Sequence, residues 1–130
     1  MEDQANTVEI QDRDAEAQLI AAQNDQFRQG ACHIPAKSGP IEGRLVLTRG
    51  IDAEGVEFVQ EAIGATASFT AFSEGADPYG LHEMGVIMVQ AQKVWWKIDL
   101  YDCDYAYGSD APADPDQTRR VLTILFPSEY

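Results

Sequence analysis

The sequence predicts a single α+β domain, in which a four-stranded, mainly antiparallel sheet carries two helices packed on one face. Three observations support this class. Four short apolar runs are bounded by turn residues, two longer stretches repeat apolar side chains every three or four positions, and 130 residues suit one hydrophobic core. The predicted elements follow in the order α-β-α-β-β-β, so a layer of helices on a sheet is the expected architecture.

The chain is expected to begin with a flexible acidic arm, residues 1–13, followed by a single domain over residues 14–130. The arm is polar and acidic, which is typical of frayed or disordered termini. A helix is predicted from Asp14 to Arg28, because its apolar residues fall on one face. These residues are Ala15, Leu19, Ala22 and Phe27.

The middle of the chain predicts a loop, a strand and a second helix. Residues 32–40 concentrate Pro, Gly and Ser and should form a loop, and Arg44–Arg49 is a short β-rich run between glycines. The second helix is predicted to start at Asp52 and to present a wide apolar stripe that packs against the sheet. The stripe comprises Phe58, Ala62, Ala65, Phe69 and Phe72.

Three strands are predicted in the second half of the chain. Glu83–Val89 and Val94–Tyr101 should pair as an antiparallel hairpin, and Arg119–Phe126 is an apolar run that Pro127 ends. Side chains of a strand alternate between two faces, so one parity of the second hairpin strand should face the core. That apolar parity consists of Val94, Trp96, Ile98 and Leu100.

The hairpin register follows from a two-residue turn expected at residues 91–92. In that register Met84 lies opposite Asp99, and His82 lies opposite Tyr101. This arrangement would bring a histidine and an aspartate to the same end of the hairpin.

The opposite face of the second hairpin strand alternates aromatic and charged side chains and leads into an acidic loop. Asp102 and Asp104 continue the core parity, but unpaired carboxylates cannot enter an apolar core, so the strand should end near Tyr101. Trp and Tyr side chains with one wet end are common on recognition surfaces, although they can also simply cover a sheet face. The residues predicted to contact a partner are Trp95, Asp99, Tyr101, Asp102, Asp104, Tyr105, Tyr107, Asp110, Asp114 and Asp116.

The charge of the chain restricts its partners. Nine basic residues against 22 acidic residues give a net charge of −13. Such a balance promotes solubility, repels nucleic acid and membrane surfaces, and favours partners with basic surfaces. We therefore expect a protein or complex with a basic surface as partner, and neither direct nucleic-acid binding nor membrane association.

The sequence predicts a cytoplasmic location. Its first residues lack the basic and apolar segments of a signal peptide, and no apolar run approaches the roughly 20 residues that span a bilayer. In that compartment Cys32 and Cys103 should be reduced thiols. Whether either thiol is reactive stays open at this point.

A catalytic alternative involves the end of the hairpin, because a histidine beside carboxylates can act as a general base or join a metal site. The candidate residues are His82, Glu83, Asp99 and Asp102. The sequence nevertheless lacks a calcium-loop pattern, paired histidines, a G-x-S-x-G motif and a phosphate-binding loop. We therefore predict no metal and no cofactor, and favour binding over catalysis.

Five stretches of the chain carry a resemblance to a known family: "NDQFR", "GRLVLTRG", "DPYGLHEMG", "WWKIDLYDCDYAYGSDAPADP" and "TRRVLTILFPSEY". They resemble a small bacterial family, found on chromosomes and plasmids, that is known only as a domain of unknown function. The resemblance covers about residues 20–130, with signatures WKID-Y-D-D and RVLTI-SEY. It implies no activity, cofactor or catalytic residue, and the plasmid occurrence implies an accessory role connected with mobile DNA.

The function favoured by these observations is a small acidic protein-binding module. A narrower hypothesis is an inhibitor, encoded by a mobile element, that occupies a basic nucleic-acid-binding surface in the manner of anti-restriction or anti-CRISPR proteins. Duplex DNA carries about one charge per 1.7 Å of axis, and carboxylates on a sheet edge and a loop can approximate that density. A dimeric regulatory or structural partner is a further alternative, so monomer and homodimer both stay open.

Overall fold

The computed structural model describes the backbone of residues 2–33 and 39–130, and within them the side chains from residue 12 onward. Residues 34–38 of the predicted loop lie outside this described part. The elements are α1 (Glu2–Ala31), β1 (Gly43–Leu47), α2 (Arg49–Asp52), α3 (Val56–Ala67), β2 (Met84–Val89), β3 (Gln92–Tyr101) and β4 (Arg119–Leu125), followed by a 3-10 helix at Pro127–Glu129.

The four strands form one mixed sheet in the order β1-β4-β3-β2. The β2–β3 and β3–β4 pairs are antiparallel, whereas β1 pairs with β4 in parallel. The predicted α+β class with a mainly antiparallel sheet is therefore confirmed. The parallel pair arises because α2, α3 and the hairpin all intervene between β1 and β4, and a connection of that length can return the chain in the same direction.

The core lies between the helices and one face of the sheet. Phe27 of α1 and Phe58 of α3 pack against a cluster of buried strand residues. Trp96 at its centre is fully buried, and the strand residues Val94, Ile98, Leu122 and Ile124 surround it. The predicted core face of β3 is confirmed for Val94, Trp96 and Ile98, and Leu100 is half-buried against the same cluster.

The hairpin turn lies at Gln90 and Ala91, one position before the predicted turn. Both residues have positive φ angles, 49° and 65°, as in a type I′ turn. Met84 consequently pairs with Lys97, so the predicted pairing of Met84 with Asp99 is wrong. His82 precedes β2 and takes no part in the β2–β3 pairing, so it does not lie opposite Tyr101 as predicted. The register moves by two residues, so every side chain stays on its predicted face.

The predicted helix from Asp52 through the apolar stripe is wrong as one element. α2 ends at Asp52, Gly55 adopts a positive φ of 98°, and α3 starts only at Val56 and ends at Ala67. Phe69 and Phe72 follow the helix but still pack against the core. Both phenylalanines lie just beyond the last residue of α3 but pack against the same core as the helix, so their spacing continued the helical pattern.

The first helix is longer than predicted. It begins at Glu2 rather than at Asp14, so the backbone of the expected arm is helical from Glu2 onward. The flexibility of residues 1–13 stays a prediction, as do the domain bounds. Phe27, the last residue of the predicted apolar face, is buried against the core, whereas Leu19 is half exposed.

Candidate interaction surface and the adjoining polar cluster

The sheet face opposite the helices is open to solvent. We call it the outer face, and its strand residues are Arg44, Val46, Met84, Val86, Met88, Lys93, Trp95, Lys97, Asp99, Tyr101, Arg119, Val121, Thr123 and Leu125. Large apolar side chains are exposed on it: 40% of Val46, 47% of Val86 and 62% of Met88 is accessible. An exposed apolar group of this kind on a sheet is a candidate interaction surface.

Trp95 is less accessible than its position on the outer face suggests. The ring of Tyr130 packs on its edge, with centroids 5.6 Å apart and planes at 71°. Its indole N–H is buried and makes no hydrogen bond within the described residues. Tyr130 itself is 80% exposed, so the C-terminal residue covers the tryptophan and extends the aromatic surface.

Three basic side chains on the outer face have partners. Lys97 Nζ lies 2.6 Å from Asp99 Oδ2, and this hydrogen bond raises the pKa of Lys97. Arg119 pairs with Glu42 at 3.1 Å, and the Arg44 guanidinium lies 3.8 Å above the centre of the Tyr105 ring. Arg119 also donates to the Pro115 carbonyl at 3.3 Å, so the guanidinium groups of Arg119 and Arg44 both lie against the acidic segment that follows β3.

Residues 102–118 form the acidic loop, and its first half is built on Asp102. The Asp102 N–H donates to the Tyr107 carbonyl at 2.8 Å, and the Asp102 carboxylate accepts the backbone N–H groups of Asp104 and Ala106. Tyr105 takes a positive φ of 57° inside this turn. Asp102 is therefore a turn-forming residue, as aspartates commonly are.

The second half of the acidic loop is fixed by hydroxyl and amide groups. Ser109 Oγ lies 2.7 Å from the Thr118 hydroxyl, which in turn donates to the Ala111 carbonyl. The Gln23 side chain reaches from α1 and donates to the Ala113 carbonyl at 2.8 Å. The loop is thus attached both to itself and to the first helix.

The acidic loop presents four exposed carboxylates, from Asp104, Asp110, Asp114 and Asp116. Within residues 2–33 and 39–130, no basic side chain forms an ion pair with any of them. Tyr107 is 77% exposed in the same loop. The structure therefore holds these predicted contact residues in fixed positions at the surface, while their use by a partner stays a prediction.

His82 belongs to a separate polar cluster near α1. Its Nδ1 lies 2.9 Å from the Asp25 carboxylate, and its ring stacks on Phe72 with centroids 3.8 Å apart. Its Nε2 lies 3.9 Å from Asp77, whose carboxylate accepts the backbone N–H groups of Leu81 and His82. These contacts hold the turn before β2, where His82 has a positive φ of 53°.

Arg28 connects the polar cluster to the end of α3. Its guanidinium is buried, donates to the carbonyls of Thr66 and Ala67 at 2.6 and 3.2 Å, and bonds to Asp25 at 3.0 Å. It also lies 4.9 Å from the centre of the Trp96 ring. A cation at the last carbonyls of a helix is favourable, so Arg28 stabilises the point where α3 ends.

Arg120 is a second buried cation, and side-chain amides of α1 accept hydrogen bonds from two of its three nitrogens. Its Nε and Nη2 donate to Asn24 Oδ1 and Gln23 Oε1 at 2.7 and 3.1 Å. Its Nη1 makes no hydrogen bond within the described chain, and burial lowers its pKa to about 10. Asn24 also donates to the Leu81 carbonyl. The side-chain amides of Gln23 and Asn24 therefore link Arg120 of β4 to the acidic loop and to the loop before β2.

The four residues considered as catalytic candidates make their contacts in different parts of the structure. His82 contacts Asp25, Asp99 pairs with Lys97, and Asp102 forms its own turn. The pKa of the Glu83 carboxyl is raised, first by partial burial and then by the carboxylates of Asp77 and Asp99. No three His, Cys, Asp or Glu residues of the described chain are arranged to hold a metal ion. Catalysis by the four stays a prediction.

Asp25, Arg28 and Asp77 are the site residues that the sequence interpretation missed. Asp25 and Arg28 lie three positions apart in α1, which is a common spacing for a surface ion pair, so the pattern gave no reason to place them inside. The Pro and Gly residues after Asp77 indicated a turn. They did not show that its carboxylate would bind the turn's N–H groups.

Both cysteines are free thiols, with Cys32 buried and Cys103 exposed. Burial raises the pKa of Cys32 to about 11, so this thiol is protonated and unreactive near neutral pH. None of the helices in the described residues combines the length and apolar character needed to cross a bilayer.

Comparison with known proteins gives one match. Neither the curated proteins nor the solved structures contain a chain that matches this one. A family profile described as "Protein of unknown function (DUF3768)" matches residues 47–129, which is more than half of the chain. The matched region contains β2, β3, β4 and the whole acidic loop, whereas α1 precedes it. The chain therefore belongs to the DUF3768 family of proteins of unknown function.

Proposed function

We propose that this protein is a small acidic binding module that docks on a basic protein surface through its outer face and acidic loop. The observation that carries the proposal is the combination of fixed backbone and unpaired charge in the acidic loop. Its turns are bonded internally and to α1, while Asp104, Asp110, Asp114 and Asp116 remain exposed without ion pairs in the described structure.

This arrangement suits recognition for two physical reasons. A loop that is already ordered loses little conformational entropy when it binds, so more of the contact energy contributes to affinity. Fixed carboxylates on a chain of charge −13 attract a basic partner over a distance and accelerate association. The exposed apolar residues of the outer face can then be buried in the contact.

We propose, as a narrower form of this function, that the basic surface is one that otherwise binds nucleic acid. The chain would then act as an inhibitor of the nucleic-acid-mimic type, such as an anti-restriction or anti-CRISPR protein of a mobile element. The support is the charge of −13 together with carboxylates presented on a fixed loop. Displacement of the bound partner by duplex DNA distinguishes this form from other basic partners.

The test is partner capture with two variants of equal charge change. One carries Asp104→Asn, Asp110→Asn, Asp114→Asn and Asp116→Asn in the acidic loop. The control carries Asp52→Asn, Glu54→Gln, Glu57→Gln and Glu61→Gln around α3, where the carboxylates are also exposed. We expect the loop variant to lose at least tenfold in affinity for a captured basic partner, and the control to lose less than threefold, because the acidic loop lies in the proposed contact and the carboxylates around α3 do not.

Two results would contradict the proposal. Equal losses in both variants would show that net charge alone attracts the partner, and unchanged binding of the loop variant would place the contact elsewhere. Binding that does not weaken between about 0.05 and 0.5 M NaCl would also argue against a contact between charges.

The open outer face favours one other function, self-association into a regulatory or structural dimer. Val86 and Met88 are the most exposed apolar side chains of its strands and would be buried in such a contact. Light scattering at several protein concentrations, with and without added salt, tests it. A monomer under all conditions would exclude the dimer.

A further inference from the structure

The strand β2 is at one end of the sheet and leaves one backbone edge unpaired. Ile98 N–H donates to the Glu83 carbonyl at 2.8 Å, so the backbone of Glu83 faces β3. Backbone groups alternate in direction along an antiparallel strand. The N–H and C=O groups of Met84, Val86 and Met88 therefore point away from the sheet.

This edge is open. No N–H or C=O group of Met84, Val86 or Met88 bonds to a residue outside the sheet within the described chain. Val86 and Met88 are also exposed on the outer face. A row of unpaired backbone groups on an edge strand is a template for another strand, and no proline or bulge interrupts β2.

A groove of about 340 Å³ runs beside the edge, between β2 and residues 69–77. The residues that line it include Phe69, Phe72, Gly85 and Val86, together with Asp77, whose side chain is largely buried. Phe72 is held between the His82 ring and Trp96, so this wall is part of the packed structure.

The charge near the groove is negative. Asp77 lines it, Glu83 precedes the first residue of β2, and Glu74 is exposed in the preceding loop. The pKa of the Glu83 carboxyl is raised, first by burial and then by the carboxylates of Asp77 and Asp99. Two nearby cations have partners of their own, since Lys97 pairs with Asp99 and Arg28 is buried against Asp25.

We propose that this edge and groove bind an extended segment of a basic protein, which adds a fifth strand to the sheet and places a Lys or Arg side chain near the exposed Glu83. Main-chain hydrogen bonds along the edge supply affinity, and alternate side chains of the added strand enter the groove and supply specificity. The inference rests on the proposed binding function and identifies the edge and the chemistry of the partner.

The test uses a blocked peptide, Lys-Val-Thr-Val-Lys, and its acidic counterpart, Glu-Val-Thr-Val-Glu, titrated into the ¹⁵N-labelled full chain. We expect the basic peptide to shift the amide signals of Met84, Val86 and Met88 and to slow their hydrogen exchange. The acidic peptide should leave these signals unchanged, because Asp77 and Glu83 repel it.

Two variants examine the edge and its charge separately. Val86→Pro removes an N–H that makes no bond within the sheet, so it should weaken basic-peptide binding about tenfold while the fold persists. Glu83→Gln leaves the backbone unchanged and should weaken binding about threefold, whereas Glu57→Gln, on α3, should have no effect. Because Glu83→Gln and Glu57→Gln change charge equally, the comparison holds even if the proline variant unfolds.

Any of three peptide results would overturn the inference: shifts confined to the acidic loop, equal shifts with both peptides, or no shift at millimolar peptide. Edge amides already protected in a dimer without peptide would assign the edge to a second copy instead, which also overturns it. None of these outcomes depends on the acidic-loop variant. The β2-edge inference can therefore be rejected while the proposed function stands, and the proposed function can be rejected while the β2-edge inference stands.

Discussion

Arg28 and Arg120 show how single residues combine core and polar roles in this protein. Both are buried, yet the Asp25 carboxylate beside Arg28 is part exposed, and within the described residues the Arg120 guanidinium bonds only to the amides of Gln23 and Asn24. A buried cation is tolerated when its N–H groups find acceptors, and here carbonyls and amides provide most of them. Each arginine therefore fixes the position of a loop as well as of a helix.

Gly85 is required by a single close contact. A Cβ atom there would lie 2.6 and 2.8 Å from Cε2 and Cζ2 of the Trp96 ring, which is fully buried and cannot move aside. We predict that Gly85→Ala lowers the free energy of unfolding by about 2 kcal/mol through overpacking. Chemical denaturation with urea measures the change.

Gly64→Ala is the matched control for this substitution. Gly64 lies inside α3, and a Cβ atom would meet no other atom within 4 Å. We expect it to raise stability by about 0.5–1 kcal/mol, because alanine favours helix. A neutral Gly85→Ala would show that the indole adjusts after all.

At the scale of elements, the C-terminal 3-10 helix joins the beginning of α2 to the end of β4. The Glu129 carboxylate accepts hydrogen bonds from the Thr48 hydroxyl at 2.7 Å and from the N–H groups of Gly50 and Phe126 at 3.1 and 2.9 Å. These residues come from the "LTRG" and "FPSEY" stretches, so two separate motifs of the sequence meet in one structural contact. The contact also orients Tyr130 over Trp95.

The same contact predicts a pH effect. Hydrogen bonds from the Phe126 N–H, the Thr48 hydroxyl and the Gly50 N–H lower the pKa of the Glu129 carboxyl below its ordinary value. A carboxyl with a lowered folded pKa stabilises the fold above its unfolded pKa, and the stabilisation is lost as pH falls through the folded pKa. Glu129→Gln should therefore lower the melting temperature at pH 7 and lower it less at pH 3.

Glu54→Gln is the control for this prediction, since Glu54 is exposed and forms no ion pair within the described residues. Thermal unfolding followed by circular dichroism at both pH values gives the comparison. A loss of stability that is the same at pH 7 and pH 3 would mean that the charge of Glu129 does not matter.

At the scale of the whole molecule, the excess of carboxylates affects stability as well as binding. A net charge of −13 repels itself across the compact fold, and salt screens that repulsion. We predict that raising NaCl from about 0.02 M to about 0.5 M increases the melting temperature by about 4 °C, or roughly 1 kcal/mol.

The loop variant used for partner capture provides the control. With four carboxylates neutralised, it should melt at a higher temperature in low salt and respond less to added NaCl. Calorimetric scans of both proteins at the two salt concentrations decide this. An unchanged melting temperature of the native chain in high salt would contradict the role given to self-repulsion.

The pattern of residues predicted the class of fold and the faces of the hairpin because both depend on local periodicity. Trp96 and Ile98 face the core and Asp99 faces outward whichever of the two registers forms, since a shift of two residues preserves parity. The interruption at Gly55 and the end of α3 could not be predicted in the same way, because Phe69 and Phe72 continue the helical spacing beyond the helix.

By itself, the sequence determined the α+β class, the acidic surface and the end of β3 before Asp102, because charge and alternation act over a few neighbouring residues. Tertiary structure alone decided the parallel β1–β4 pair, the turn at Gln90 and Ala91, and the assembly of Asp25, Arg28 and His82. Asp25 and His82 are 57 positions apart, so only long-range packing brings them into contact.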